Sequence, residues 1–278
     1  MWNLKKPSLA SIRSDLDALF PEGAGEGISD DDKLKILELY NEYEEARGEP
    51  NPAWKTKSLS NDSRELLLTA YGQVSDKGEL SLLRTALKKG AKKCPYCGFG
   101  EIRDLDHHLP KKHYKCFSVF ALNLVPSCSK CNGHKPRTPP SAREKYHIHA
   151  YLDDVSNYKF LVADIEISDG GLSAIFRIEK RPGMSNELTK RLRQHLTDFK
   201  LNERYVAQVT NYLESQETGL DDNFRLGGAA EVRAYLLRTA DSIARTNGAN
   251  DWRGALVVAL AESEDFCDGG FYKVLGFT

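Results

Sequence analysis

Apolar residues recur at helical spacing in several stretches of the chain and alternate with polar ones in a single stretch. In KLKILELYNEYEEAR the positions Leu34, Ile36, Leu37, Leu39, Tyr40 and Tyr43 predict a helix over 33–47. Ser29 and the run Asp30, Asp31, Asp32 supply a cap and a negative first turn, and Gly48 followed by Glu-Pro-Asn-Pro ends it. Before it, SIRSDLDALF predicts a short helix and PEGAGEGISDDD a Gly-rich loop. A second helical region is expected over 62–90, from Leu66, Leu67, Leu68, Ala70 and Tyr71 and then Leu80 to Leu87, with Gly90 as its stop. The alternation falls in YKFLVADIEISDGGLSAIFRIEK, where Phe160, Val162, Asp164 and Glu166 oppose Leu161, Ala163, Ile165 and Ile167. That pattern predicts a β-hairpin turning at Asp169-Gly170-Gly171, returning over Leu172 to Ile178 and ending at Pro182-Gly183. From Asn186 onward the chain reads as helical in three segments: one through 186–216, one over Ala229 to Arg245 and one over Trp252 to Phe266.

The expected fold class is therefore α+β. A helical N-terminal region (1–90) precedes a central module (91–150), followed by the hairpin and a helical C-terminal region (151–278). Neither an internal repeat nor a low-complexity tract interrupts this order.

Charge changes the picture, because the net charge of −1 averages unlike parts. Residues 81–145 hold 14 Lys and Arg against 4 Asp and Glu, whereas both flanks are acidic. A basic middle of this density predicts a polyanion partner, DNA with RNA also open, since affinity for nucleic acid comes from cations set against phosphates. The start MWNLKKPSLASIRSD lacks the apolar core of a secretory signal, and the longest apolar run, Ala255 to Ala261, is too short to span a bilayer. No membrane association and a reducing, cytoplasmic setting are the expectations.

Candidate chemistry is concentrated between Cys94 and Lys135. Two Cys-x-x-Cys pairs, Cys94/Cys97 and Cys128/Cys131, have the spacing of a structural Zn²⁺ site, and a full set of sulfurs leaves no open coordination position. Cys116 and Cys267 have no such partner and are expected to be packing residues. Inside the sulfur staple lies RDLDHHLPKKH. Phosphodiester hydrolysis needs a base for water and a cation for the phosphate and leaving oxygen. Asp106 and the Asn132 amide offer hard oxygen ligands suited to Mg²⁺ or Mn²⁺, and a neighbouring imidazole titrates in the range a base requires. Strand alternation would put Asp106 and His108 on one face. His147 and His149 are spaced for one face of a strand, yet lack a nearby carboxylate or thiol and are read as packing or surface residues.

Cys-x-x-Cys, Asp-His-x-x-Pro, Asn-Leu and Cys-x-x-Cys-Asn-x-x-Lys together resemble the HNH endonuclease motif over about residues 92–137. The resemblance implies a ββα-metal finger and metal-dependent cleavage of DNA. Carried over by position, it makes Asp106 a metal ligand and His107, three residues before Pro110, the general base. Asn123 becomes the residue that orders the loop, Asn132 the second protein ligand, and Lys135 a helix residue facing phosphate. His108, His113, His134, Lys111, Lys112, Lys130 and Arg137 are the further candidate phosphate contacts. The wider phrase from Asp106 to Lys135 also resembles the Septu-type HNH subunits of bacterial anti-phage defence, which implies a partner ATPase. The rival expectation is a zinc-dependent nucleic-acid-binding module without catalysis.

Overall fold

The computed structural model describes residues 3–22, 27–168 and 171–276. The chain divides into two compact units, Asn3–Asp154 and a second that includes Val155–Thr278. The architecture is α+β, with helices on either side of two small antiparallel sheets.

In the first unit α1 (Ile12–Leu19) precedes α2 (Asp30–Glu45). Ser29 caps α2 by accepting from Asp32 N, and Ile36, Leu39, Tyr40 and Tyr43 form its buried stripe at the i, i+3, i+4, i+7 spacing of one helix face. Gly48, just beyond α2, has a φ of +72°, and a Cβ there would stand 2.5 Å from the ring of His149. The expected helical region over 62–90 is two helices, α3 (Asn61–Ala70) and α4 (Ser81–Lys89). A single 3₁₀ turn, Tyr71–Gln73, ends the first, and the Gln73 carbonyl accepts from Leu80 N across the intervening loop.

The central module follows as β1 (Asp104–His107), a long loop, β2 (Leu124–Ser127) and α5 (Ser129–His134). The strands are antiparallel, with Asp104 opposite Ser127 and His107 opposite Leu124. The module does not stand as a separate domain from the N-terminal helices, because the two share one core. Tyr40 stacks on Phe120 at 3.9 Å, and Phe117 lies 4.9 Å from the Tyr43 ring and 5.2 Å from that of Trp54. Burial of such rings is the main stabilising term here, about 1.5–3 kcal/mol for each large apolar side chain.

In the second unit β3 (Leu161–Ser168) pairs with β4 (Gly171–Ile178), Leu161 opposite Ile178 and Ser168 opposite Gly171. The turn expected at Asp169-Gly170-Gly171 has its first two residues outside the described ones. The helical segment expected through 186–216 is split into α6 (Asn186–Asp198) and α7 (Leu201–Glu214) by Lys200, which takes a left-handed φ of +49°. Next, α8 (Glu217–Asn247) is kinked at Gly227 and Gly228, so its second arm matches the expected helix from Ala229. Then come α9 (Trp252–Glu262) and the short α10 (Phe271–Leu275). Phe176, Tyr205 and Trp252 form the aromatic centre of this unit. Asn250 accepts from Phe160 N and Leu161 N and donates to Tyr158 O, fixing the entry of β3. No helix among the described residues is long and apolar enough to cross a membrane.

Candidate functional site

Four sulfurs converge first. Cys94, Cys97, Cys128 and Cys131 are buried, and their Sγ atoms all lie within 4.8 Å of one another. The Cys97–Cys128 separation of 3.9 Å is close to the edge of about 3.8 Å that a tetrahedron with Zn–S bonds of about 2.3 Å requires. None of the four is joined in a disulfide. The thiols are coupled: hydrogen bonds from Cys131, Cys94 and Cys97 pull Cys128 far below its ordinary range, while the bonds to Cys128 hold Cys94 and Cys131 well above theirs. Gly100 N donates to Cys97 Sγ and Cys131 N to Cys128 Sγ, the backbone bonds that orient such ligands. A Cβ at Gly100 would fall 2.7 Å from Cys128 Sγ, which is why glycine stands there. The donor set fits Zn²⁺.

Beside the sulfurs β1 ends at an open cleft of about 470 Å³, lined among others by Tyr71, Asp106, His107, Asn132, Lys135 and Arg137. Asp106 is 6% exposed, and its Oδ2 accepts from Tyr96 Oη at 2.8 Å and from Lys135 Nζ at 2.7 Å. Tyr96 lies between the two cysteines of the first knuckle, so the sulfur site and the carboxylate are joined by one side chain. His107 Nε2–H donates to Ser118 O at 2.9 Å, which leaves Nδ1 as the basic nitrogen. Burial, helped by the positive charges of Lys111 and Lys135, pushes this imidazole down to about 3, well below the near-neutral range expected from the sequence, and it is neutral at physiological pH. Neutral imidazole and carboxylate thus line one cleft from adjacent residues.

His108 lies elsewhere. Its ring is buried 4.1 Å from that of His149, and with His147 and Pro50 it lines a second cavity of about 20 Å³. Alternation does not carry it to the side of Asp106, because β1 ends at His107. It is therefore not a phosphate contact of the main cleft.

Asn123 uses its full bonding capacity within the loop between the strands. Its Nδ2 donates to Leu109 O and Phe117 O, and its Oδ1 accepts from Leu109 N and Tyr43 Oη. Behind it, His149 Nδ1 accepts from Tyr151 N, so its Nε2–H donates to Tyr43 Oη at 3.0 Å, and Tyr43 in turn donates to Asn123. This buried relay runs from the segment after α5, through α2, to the loop. It also accounts for His149, whose ring nitrogens are both engaged. Among the described residues only the four cysteines group as a cluster of three or more His, Cys, Asp or Glu able to hold a metal.

Lys135 departs from the expectation that it faces phosphate. It is buried, and its ammonium donates to Asp106 Oδ2, to His107 O and to His108 O, which takes up its three donors. A lone ammonium in that setting is stable only with a carboxylate against it. Asn132 is exposed on α5, lines the cleft and donates from Nδ2 to Asp104 Oδ2 at 3.1 Å. Lys111, Lys112, His113 and Arg137 line the cleft, with the Lys111 ammonium 3.9 Å from the centre of the Tyr71 ring. Lys130 and His134 are exposed on α5 and are not part of that lining. Cys116 and Cys267 donate to backbone carbonyls in the core, as packing residues do.

Sequence reading missed the roles of Tyr43, Tyr71, Tyr96 and Ser118, whereas His149, read as a packing or surface residue, is buried. Tyr96 had a signal, its place inside a metal knuckle, whereas the others are brought in by tertiary packing that spacing does not encode. No family model matches the chain, and no solved structure does. It is similar to "Protein ea31" of Escherichia phage lambda, 28% identical over 195 residues, a stretch that covers 66% of this chain and 66% of that protein. The chain thus matches just under two thirds of the length of a phage protein, over an equal share of its own.

Proposed function

We propose that this chain is a metal-dependent endonuclease of the HNH type, hydrolysing DNA phosphodiester bonds on the finger formed by β1, β2 and α5. The supporting observation is that neutral His107 and the Asp106 carboxylate line one cleft with Asn132 and a rim of Lys and Arg. The sulfur cluster would hold Zn²⁺ as a brace, and Asp106 and Asn132 would hold a Mg²⁺- or Mn²⁺-class ion. Bound there, that ion supplies positive charge to the phosphate and the leaving oxygen. His107 takes the proton of the attacking water at Nδ1, while the carbonyl of Ser118 keeps Nε2 protonated and steadies the imidazolium that results. Lys111, Lys112 and Arg137 neutralise the flanking phosphates. Asn123 performs no chemistry and holds the loop that carries Leu109 and Phe117.

The test is nicking of supercoiled plasmid in Mg²⁺ or Mn²⁺. His107→Ala is expected to lower cleavage by about 10²–10⁴-fold, the usual contribution of a general base, with gel-shift affinity for DNA retained. Cleavage by the variant at the wild-type rate removes the proposal. One observation favours a second reading, a zinc-dependent nucleic-acid-binding module. The Lys135 ammonium already compensates Asp106, on the oxygen a divalent ion would otherwise share. DNA binding that persists in EDTA, with no nicking in either metal, selects that reading. The setting we propose is the bacterial cytoplasm, in anti-phage defence beside an ATPase, and co-purification from the native operon tests the partner.

A further inference from the structure

The ring that lies against His107 comes from outside the finger. Tyr71 belongs to the 3₁₀ turn after α3, 36 positions before His107, and no motif in the sequence marks it. Three contacts define its place. Its hydroxyl donates to Leu105 O at 3.1 Å, on the residue before Asp106. Its ring meets the His107 imidazole edge-on, with centroids 4.4 Å apart and planes at 63°. The Lys111 ammonium sits over the same ring at 3.9 Å.

An imidazole held by one hydrogen bond retains freedom about the axis of that bond. His107 has the Ser118 carbonyl on Nε2, and a rigid wall beside the ring removes the remaining freedom. Tyr71 supplies that wall and is itself anchored to β1, the strand that carries His107. It also lines the cleft, so it holds a base and a rim cation in register with one planar side chain. We infer that Tyr71 is the positioning residue for the His107 imidazole, contributed to the finger by the N-terminal helical region. Its consequence for catalysis rests on the nuclease reading above, while the positioning itself does not.

The experiment uses the full zinc-loaded chain with ¹⁵N-labelled histidine, and Tyr71→Phe and Tyr71→Leu variants. Long-range ¹H–¹⁵N correlation reads the His107 tautomer directly. Wild type and Tyr71→Phe, which keeps the wall, are expected to show a single Nε2–H form, and Tyr71→Leu a mixed or exchange-broadened ring. In plasmid cleavage Tyr71→Leu should lower kcat about 10- to 100-fold, the cost of a misplaced catalytic group, with Tyr71→Phe within about threefold of wild type. Should Tyr71→Leu fail to retain zinc and native circular dichroism, Tyr71→Met fills the space without a rigid face and carries the same expectation. A His107 spectrum unchanged in the Leu or Met variant overturns the inference. A freed ring in a protein whose wild type cleaves nothing upholds the positioning and removes the nuclease reading instead.

Discussion

At the scale of single residues, the two side chains that matter most are held by groups the sequence places far away. His107 depends on Ser118 and Tyr71, and Asp106 on Tyr96 and Lys135. The register of the HNH resemblance implied His107, which lines the cleft, whereas strand alternation would have put His108 beside Asp106 and failed because β1 stops one residue short. The fate of Lys135 was not legible, since a Lys after a metal knuckle looks alike in sequence whether it reaches outward or folds back. The state of His107 carries a stability prediction. Its folded value of about 3 lies below the ordinary 6.5, so the unfolded chain binds the extra proton between those values. Stability is therefore complete above about pH 6.5 and is lost progressively as pH falls toward 3. Urea denaturation at pH 7 and pH 4.5 should show wild type losing about 2–3 kcal/mol more than His107→Gln over that interval.

At the scale of elements, periodicity located the helices but not their breaks. Lys200 ends α6 by its backbone conformation, and the loop before Leu80 ends the expected helix over 62–90 by hydrogen bonds from within it. Neither feature alters the spacing of Leu, Val and Tyr that the eye follows. The loop between β1 and β2 is held in large part by Asn123, whose side chain makes four hydrogen bonds. Asn123→Ala would take from Leu109 N and Leu109 O their side-chain partner, whereas Phe117 O keeps Phe120 N and Tyr43 Oη keeps His149 Nε2. At about 1–3 kcal/mol for each buried group left unsatisfied, the expected loss is at least about 2 kcal/mol, read as a lowered urea midpoint with an unchanged m-value.

At the scale of the molecule, the α+β class and the sulfur cluster were legible, because both rest on residue types at short spacing. The sharing of one core by the N-terminal helices and the finger was not. Its contacts, such as Tyr40 with Phe120 and Tyr43 with Asn123, join positions about eighty residues apart. Charge is also distributed unevenly, since a chain of net charge −1 lines one cleft with Lys111, Lys112, Lys135 and Arg137. Lys111, Lys112 and Arg137 are the Lys and Arg residues of that lining besides Lys135, which is committed inside. The slope of log K against log salt for duplex DNA should accordingly be about −3, with Lys112→Ala and Arg137→Ala each reducing it by about 1. A slope that neither substitution changes would place the DNA on another surface.

Tyr96 has a further bearing on how the protein responds to scarcity of metal. It is the middle of the turn that wraps the sulfurs, and its hydroxyl is one of two donors that keep Asp106 in place. Were the sulfurs to hold zinc as proposed, stripping it would loosen that turn, and the carboxylate would drift with it. On the nuclease reading a chelator would then disable the cleft twice over, once by withdrawing the proposed oxygen-held ion and once by slackening the frame that presents it. Replenishing magnesium alone would repair only the first injury, so the order in which the two ions are returned becomes a readout of the link between them.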